Sequence, residues 1–389
     1  MNRVLPVRLA VYTLLFPLML CCGPRPRYPK DTPPAGSALG PITVETYSPV
    51  FDETARFIAA TGLPENSPLR DAAATKEYAA FKKSIDKAWD GFFSENLKKI
   101  HRWTEKHLPP GKNLSVFYPF SGPDILHALS FYPDARDILM FGLEPTGGIP
   151  EARSLDTKTL LRSLRGLAPA LNFTLDHAFF VTTDMQKNVG RNPFTGITGI
   201  MMFFLSRDGF EVVQAREIQL DAAGAVTAAG TVKGRGAVDG VEIIFSRGAG
   251  TRLHRARYFR LDVGNGSAQL PRFNMYCEKN PPFATIIKSA SYLMHNDTFS
   301  TVRELILSRS VSIIQDDSGI PYKSFAPSAW ELRYFGKYHR PLPVFKTRHQ
   351  ADLEKAVALH SAGPLPFAYG YGYGYADMTY HLLYARKKP

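Results

Sequence analysis

The stretch at residues 113–150, NLSVFYPFSGPDILHALSFYPDARDILMFGLEPTGGIP, constrains the fold of this chain more than any other part of it. A strand-like run at 114–118 precedes a turn that contains Gly122 and Pro123, and a short helix-like run follows the turn. A second apolar run at 138–143 ends at Glu144. Strand, turn, helix and strand in this order form a βαβ unit, whose two strands are parallel. The sequence therefore predicts an α/β fold.

The remaining segments extend this interpretation on both sides. Residues 43–110 are predicted to be helical, and from Tyr78 to Trp103 the apolar side chains fall at three- and four-residue steps, which is typical of an amphipathic helix. Residues at about 209–264 alternate between apolar and polar and contain turn signals, which predicts an inserted antiparallel β-meander. Strand-like runs at 178–182, 284–293, 310–315 and 378–385 alternate with helical runs. We expect a Rossmann-like mixed sheet at 111–389, with helices on both faces and an N-terminal helical segment.

The N-terminus has the pattern of an export signal. Arg3 and Arg8 precede an apolar run at 9–20, which is too short to cross a membrane comfortably. Cys21 and Cys22 follow directly, and a cysteine in this place resembles the lipobox of bacterial lipoproteins. That resemblance implies lipidation at Cys22, a signal peptide at 1–22 and a proline-rich tether at 23–42. An ordinary signal peptide or an uncleaved anchor is the alternative.

Charge and cysteine content limit the partners. The formal net charge is +12, but the 47 Lys and Arg residues are scattered and form no nucleic-acid-binding module, so we expect no specific nucleic-acid binding. Three cysteines, two of them in the leader, cannot form a disulfide framework. Cys277 is expected to be a buried apolar cysteine. The expected partners are a membrane, through the N-terminal lipid, and a small-molecule ligand.

Polar residues follow several predicted strands, and ligands of parallel α/β sheets bind beyond the carboxyl ends of the strands. We therefore expect a small-ligand crevice where these ends meet. The candidate ligand-binding residues are Tyr118, Ser121, Gly122, Asp124, Glu144, Asp316 and Asp317.

Three chemistries are conceivable for this crevice. Glu144 follows Gly122 by 22 residues, close to the spacing of dinucleotide sites, although the GxGxxG pattern is absent and Pro123 removes a backbone donor. Ser121 occupies a strand-to-helix turn, as a hydrolase nucleophile would, but helix capping explains it better. Asp316 and Asp317 could bind a hard cation, but a turn stabilised by Asx hydrogen bonds is the simpler role, and we predict no metal site.

Two resemblances supplement the residue patterns. The βαβ layout is similar to the first half of a class I methyltransferase-type Rossmann fold, which implies a transferase-like protein, active or degenerate. The motifs YPFSGPD at 118–124 and QDDSGIPY at 315–322 resemble those of an uncharacterised group of exported bacterial proteins, which implies fold and export only. The sequence thus predicts a lipid-anchored cell-envelope protein with a ligand crevice, and it assigns neither a cofactor nor a catalytic residue.

Overall fold

The structure, a computed structural model, describes residues 41–45, 47–109, 114–177, 192, 194, 196–234, 236–249, 251–338, 340–371 and 380–389. These residues form an α/β fold with one ten-stranded mixed sheet, and this part of the prediction is confirmed. Cys22, the rest of the predicted leader, nearly all of the tether and the predicted strand at 178–182 lie outside the described residues.

The helices and strands have the following bounds. The helices are α1 (Pro49–Ala59), α2 (Arg70–Ala73), α3 (Lys76–Phe92), α4 (Lys98–His107), α5 (Ile125–Phe131), α6 (Thr157–His177), α7 (Ile197–Arg207), α8 (Leu270–Lys279), α9 (Ser300–Arg309) and α10 (Ala351–His360). The strands are β1 (Ser115–Tyr118), β2 (Asp137–Gly142), β3 (Glu211–Leu220), β4 (Val226–Ala228), β5 (Val238–Ser246), β6 (His254–Arg260), β7 (Phe283–Ile287), β8 (Ser310–Gln315), β9 (Trp330–Gly336) and β10 (His381–Lys387).

The sheet has the order β4-β3-β5-β6-β2-β1-β7-β8-β10-β9. Five strands in the middle of the sheet, β6, β2, β1, β7 and β8, are parallel to one another, whereas the pairs toward both edges are antiparallel. From β1 the chain continues through α5 to β2, and from β7 it continues through α9 to β8. Because the two connections leave in opposite directions along the sheet, a topological switch point lies between β1 and β7.

Helices cover both faces of the sheet because successive side chains of a strand point to opposite faces. In β1, Val116 and Tyr118 belong to the core that also contains α5, whereas Phe117 belongs to the core that contains α8 and α9. Central strands buried on both faces are expected to be apolar throughout, and β1 and β7 are buried at every position.

A continuous helical segment at 76–107 packs its apolar side on the first of these cores. Thr75 caps its start by accepting a hydrogen bond from the Tyr78 backbone N–H, and a π-helical turn, Phe93–Leu97, joins α3 to α4. Ile85, Trp89 and Trp103 are buried along this side. Among the helices that the structure describes, none has both the length and the apolar character needed to span a bilayer.

The structure differs from the sequence interpretation in several elements. The strand expected at 284–293 ends at Ile287, because Ser289, Ser291 and Tyr292 adopt left-handed conformations that cannot continue a strand. The expected meander at 209–264 is an extension of the main sheet, and its last strand, β6, pairs in parallel with β2. Helices α7 and α8 and strand β9 were not predicted.

Trp103 provides a test of the packing between the N-terminal helices and the sheet. Its ring centroid lies 6.0 Å from that of Phe131, 5.0 Å from Phe335 and 5.8 Å from Phe367. We expect Trp103→Ala to lower the free energy of unfolding by about 3–5 kcal/mol, because it leaves a cavity among these rings. Phe93→Ala, on the same helical segment but 39% exposed, should cost about 1 kcal/mol or less. Chemical denaturation measures both values, and equal losses would contradict the packing.

Candidate functional site

A half-open cavity of about 190 Å³ lies at the carboxyl ends of β1, β2, β6 and β7, beside the switch point. This is the position where open α/β sheets bind ligands. The volume suits a small metabolite, or one part of a larger ligand, better than a drug-sized molecule. The cavity is lined by Phe120, Phe141, Gly142, Leu143, Glu144, Leu261, Asp262, Val263, Ser289, Ala290, Ser291, Leu293 and Phe299.

The loops that form this cavity are conformationally strained. Five non-glycine residues of the described chain have left-handed φ angles, and four of them lie in the loops after β1 and β7. They are Phe120, at φ 57°, and Ser289, Ser291 and Tyr292, at φ 54°, 53° and 55°. Such conformations cost free energy and persist where surrounding contacts hold them, and they concentrate at ligand sites. The strained residues and the cavity therefore indicate the same candidate ligand site.

Glu144 is the sequence-predicted residue whose position fits a ligand contact best. Its residue surface is 4% exposed, and it lines the cavity directly after β2. The Tyr258 hydroxyl donates to Glu144 Oε2 over 3.2 Å and to the Glu144 backbone carbonyl over 2.9 Å, which fixes the orientation of the carboxylate. A Cβ atom at Gly142 would lie 2.3 Å from Oε2, so only glycine leaves room for this orientation. Sequence reasoning missed both Tyr258 and Gly142.

Asp124, not Ser121, caps the helix after β1, which corrects the sequence interpretation. The Asp124 carboxylate accepts a hydrogen bond from the His127 backbone N–H over 3.3 Å at the start of α5. The Ser121 hydroxyl instead donates a hydrogen bond to the Gly122 carbonyl, and the Ser121 backbone N–H donates to the Phe141 carbonyl. Ser121 is thus a turn residue, and no imidazole contacts its hydroxyl among the described residues, which removes support for a serine nucleophile.

A buried polar cluster lies beneath the loop that follows β1. Asp124 Oδ2 accepts hydrogen bonds from the Tyr118 hydroxyl, at 2.8 Å, and from Lys288 Nζ, at 2.6 Å. Asp124 Oδ1 lies 2.8 Å from His127 Nδ1, and that nitrogen lies 2.9 Å from Lys288 Nζ. None of the four residues is more than 4% exposed. The cluster therefore ties the end of β1, the start of α5 and the end of β7 together.

The charges of this cluster follow from burial and proximity. Burial alone would raise the pKa of Asp124, but the positive charge and hydrogen bonds of its neighbours outweigh burial and lower that pKa. Burial lowers the pKa of His127, although Asp124 opposes the effect. Burial also lowers the pKa of Lys288, again opposed by Asp124. Asp124 therefore stays ionised, and its contact with Lys288 Nζ forms the buried salt bridge of this cluster.

Asp316 and Asp317 brace the loop after β7 and do not line the cavity. Asp316 Oδ1 accepts hydrogen bonds from the Ser289 backbone N–H, at 3.2 Å, and from the Ser318 hydroxyl, at 2.9 Å. Asp317 Oδ2 accepts from the Tyr292 hydroxyl at 2.6 Å. Burial, and then the neighbouring Asp317 charge, raise the pKa of Asp316. Both side chains thus hold the strained backbone of this loop in place without lining the cavity. This is close to the turn-stabilising role that the sequence predicted for them.

Tyrosine and glycine alternate at residues 369–375, and the start of this alternation lies beside the loop after β7. The Tyr369 hydroxyl donates to the backbone carbonyls of Ile287, at 3.0 Å, and Ile314, at 3.2 Å, and so bridges the ends of β7 and β8. A Cβ atom at Gly370 would lie 2.4 Å from Asp316 Oδ2. Glycine is needed there for this contact and for its φ of 75°. Residues 372–375 of the alternation, and 376–379 after it, lie outside the described residues.

The structure thus separates the seven predicted ligand-binding residues into different roles. Glu144 lines the cavity, Tyr118 and Asp124 belong to the buried cluster, Ser121 and Gly122 form the turn after β1, and Asp316 and Asp317 brace the loop after β7. Lys288 and Ser289 were missed; a lysine directly after an apolar strand was the available signal. Across the described chain, His, Cys, Asp and Glu side chains form no group of three or more that could hold a metal ion.

The buried ion pair makes a prediction about stability. Lys288→Met should lower the free energy of unfolding by about 3–5 kcal/mol, because it leaves the Asp124 carboxylate buried without its cation. Since the folded-state pKa of Asp124 lies below 3.8, the pair stabilises the fold above about pH 4 and loses this effect as pH falls further. Denaturant titrations at pH 7 and at pH 3 measure both effects.

Matched variants distinguish the pair from a general effect of lysine removal. Lys337→Met, at an exposed position, should change stability by about 0.5 kcal/mol or less. The double variant Asp124→Asn/Lys288→Met should recover part of the loss, because no charge is left unpaired. A double variant as unstable as the sum of the two single variants would contradict the direct coupling.

Comparison of the chain with family models, with curated proteins and with solved structures finds no match. The chemistry of the site is therefore argued from its geometry: a largely apolar cavity at the switch point, a buried carboxylate at the end of β2, and strained loops after β1 and β7.

Proposed function

We propose that the cavity binds a small, uncharged or cationic ligand that carries adjacent hydroxyl groups on a ring, of the class of nucleosides. The observation that carries this proposal is Glu144, a 4% exposed carboxylate held by Tyr258 in a mostly apolar cavity. An ionised carboxylate is a pure hydrogen-bond acceptor with two oxygens, so it suits a pair of adjacent hydroxyl donors. The apolar side chains around it suit the faces of a ring.

The charge of the site argues against phosphate-bearing ligands. Glu144 and Asp262 line the cavity, and no lysine or arginine is among its described lining residues. Helix N-termini commonly bind phosphate through free N–H groups, but the start of α5 is capped by Asp124 and lies beside Pro123. Both features disfavour the pyrophosphate of a dinucleotide. A nucleoside without phosphate fits the site better than NAD.

The strand order supports the same ligand class. Numbered along the chain, β1, β2, β6, β7, β8, β9 and β10 lie in the order 3-2-1-4-5-7-6. The first five positions follow the order of doubly wound nucleotide-binding sheets, whose ligands lie at the switch point. We infer on this basis that the fold is Rossmann-like.

The enzyme alternative, a methyltransferase-like protein, has a specific observation in its favour. The antiparallel strand β10 separates β8 from β9, an arrangement that resembles class I methyltransferase-type sheets. A sulfonium cofactor such as S-adenosylmethionine contains the same nucleoside part. Binding of S-adenosylmethionine much more tightly than adenosine would favour this alternative, whereas equal affinities would favour a nucleoside-binding protein.

We also propose that the protein is exported and anchored in the bacterial cell envelope by a lipid on Cys22. The support is the sequence pattern of Arg3, Arg8, the apolar run at 9–20 and the proline-rich segment that follows. A tether of about twenty residues would hold the α/β domain away from the membrane. The ligand would then be a molecule that occurs outside the cytoplasm, which favours a free nucleoside over cytoplasmic cofactors.

The ligand class can be tested by calorimetric titration of the full-length protein with adenosine. Glu144→Gln should weaken adenosine binding about 10- to 100-fold, because it removes a charged acceptor from the hydroxyl groups. Glu278→Gln, at an exposed position in α8, should leave the affinity unchanged. The unaltered protein should bind 2′,3′-dideoxyadenosine much more weakly than adenosine. Equal binding of the two nucleosides would refute a role for adjacent hydroxyl groups.

The anchor can be tested separately by metabolic labelling with palmitate in a bacterial host. Cys22→Ala should abolish labelling and release the protein from the membrane fraction, because the acceptor thiol is lost. Cys21→Ala should leave both properties largely intact, since Cys22 remains. Undiminished labelling of the Cys22→Ala protein would rule out this cysteine as the lipidation site.

A further inference from the structure

Ser289 combines three features that its local structure does not explain. It lines the cavity just after β7, and its φ is 54°, in the left-handed region that non-glycine residues rarely adopt. Its Oγ atom is buried and has no hydrogen-bond partner among the described residues. A buried hydroxyl without a partner disfavours the folded state, and so does a left-handed serine.

The backbone of Ser289 is held from both sides, so this conformation is imposed by its neighbours. Its N–H donates to Asp316 Oδ1 over 3.2 Å, and its carbonyl accepts from the Tyr371 hydroxyl over 2.8 Å. The same tyrosine oxygen lies 2.7 Å from Ser291 Oγ and accepts a hydrogen bond from the Ser291 N–H over 3.1 Å. Every backbone polar group of Ser289 is therefore satisfied, and only the side-chain hydroxyl is left for another partner.

We propose that the Ser289 hydroxyl is a specificity-determining ligand contact, which meets a second polar group of the nucleoside that Glu144 holds by its hydroxyls. The ligand would thus bridge the end of β2 and the end of β7 across the switch point. Because a serine hydroxyl can both donate and accept, it suits a ring nitrogen, an amino group or a hydroxyl. This inference rests on the nucleoside proposal and adds the second anchoring point.

The surroundings of Ser289 favour a ligand over a structural partner. The adjacent wall residues Ala290 and Leu293 carry no side-chain hydrogen-bonding group. Ser291, in contrast, has a comparable left-handed φ of 53°, but its hydroxyl is paired with Tyr371. Two serines in one loop therefore differ in one respect: one hydroxyl holds the loop, and the other, on a residue of the cavity wall, has no partner among the described residues.

Two variants of Ser289, titrated with adenosine as full-length proteins, test the inference. Ser289→Ala should raise the adenosine Kd about tenfold, because a polar group of the nucleoside loses its partner. Its Tm without adenosine should be at least that of the unaltered protein, since an unpaired buried hydroxyl is removed. Ser289→Gly should bind as weakly as Ser289→Ala and should have a higher Tm than Ser289→Ala, because glycine adopts a positive φ without strain.

The outcomes separate this inference from the function on which it rests. If the unaltered protein binds adenosine and Ser289→Ala binds it within about twofold of the same Kd, the Ser289 contact is refuted while the nucleoside site stands. If the unaltered protein binds no adenosine, both proposals fail. Weaker binding accompanied by a Tm decrease in both variants would show a structural role for Ser289, and this also overturns the inference. Weaker binding with an unchanged or higher Tm supports it.

Discussion

The buried ion pair between Asp124 and Lys288 is the interaction on which the rest of the site depends. It joins the loop after β1 to the end of β7, on the two sides of the topological switch point. A buried pair contributes less to net stability than apolar packing of equal volume would, because both charges lose their hydration. The pair does fix the loop after β1 and the end of β7 relative to each other, since removing either partner would leave the other charge buried and unpaired. The pair therefore defines how the two loops that wall the cavity lie relative to each other.

The cavity combines a hydrogen-bonded frame with two polar side chains in its wall, Glu144 and Ser289. Asp316, Asp317 and Tyr371 hold the loop after β7 in its strained conformation, and Gly142 leaves room for the Glu144 carboxylate. Ligand affinity benefits from such preorganisation, because little conformational freedom is lost on binding. We propose that the carboxylate of Glu144 and the hydroxyl of Ser289 are the groups of this frame that contact the ligand. Our proposal of an uncharged or cationic ligand with hydroxyl donors rests on these two groups and on the absence of lysine and arginine among the described lining residues.

Local sequence patterns predicted the strands β1, β2, β7 and β8, because these are short apolar runs between turn residues. The strand predicted at 284–293 was too long, since nothing in its composition indicates that Ser289, Ser291 and Tyr292 adopt left-handed backbone conformations. That conformation is imposed by Asp316 and Tyr371, which are 27 and 82 residues away from Ser289 in the chain. Strand β9 was missed for a related reason: its pairing with β10 is a long-range choice of partner.

The sequence by itself determined the α/β class, the βαβ unit at 113–150 and the placement of Glu144 at the end of a strand, because these depend on local periodicity and turn chemistry. The export pattern also belongs to the sequence alone. Only the tertiary structure decided which polar residues meet. It paired Asp124 with Lys288, joined Asp316 and Asp317 to the loop after β7, and placed Ser289 in the wall of the cavity. Such contacts join strands that are adjacent in the sheet but distant in the chain, and no local pattern encodes that adjacency.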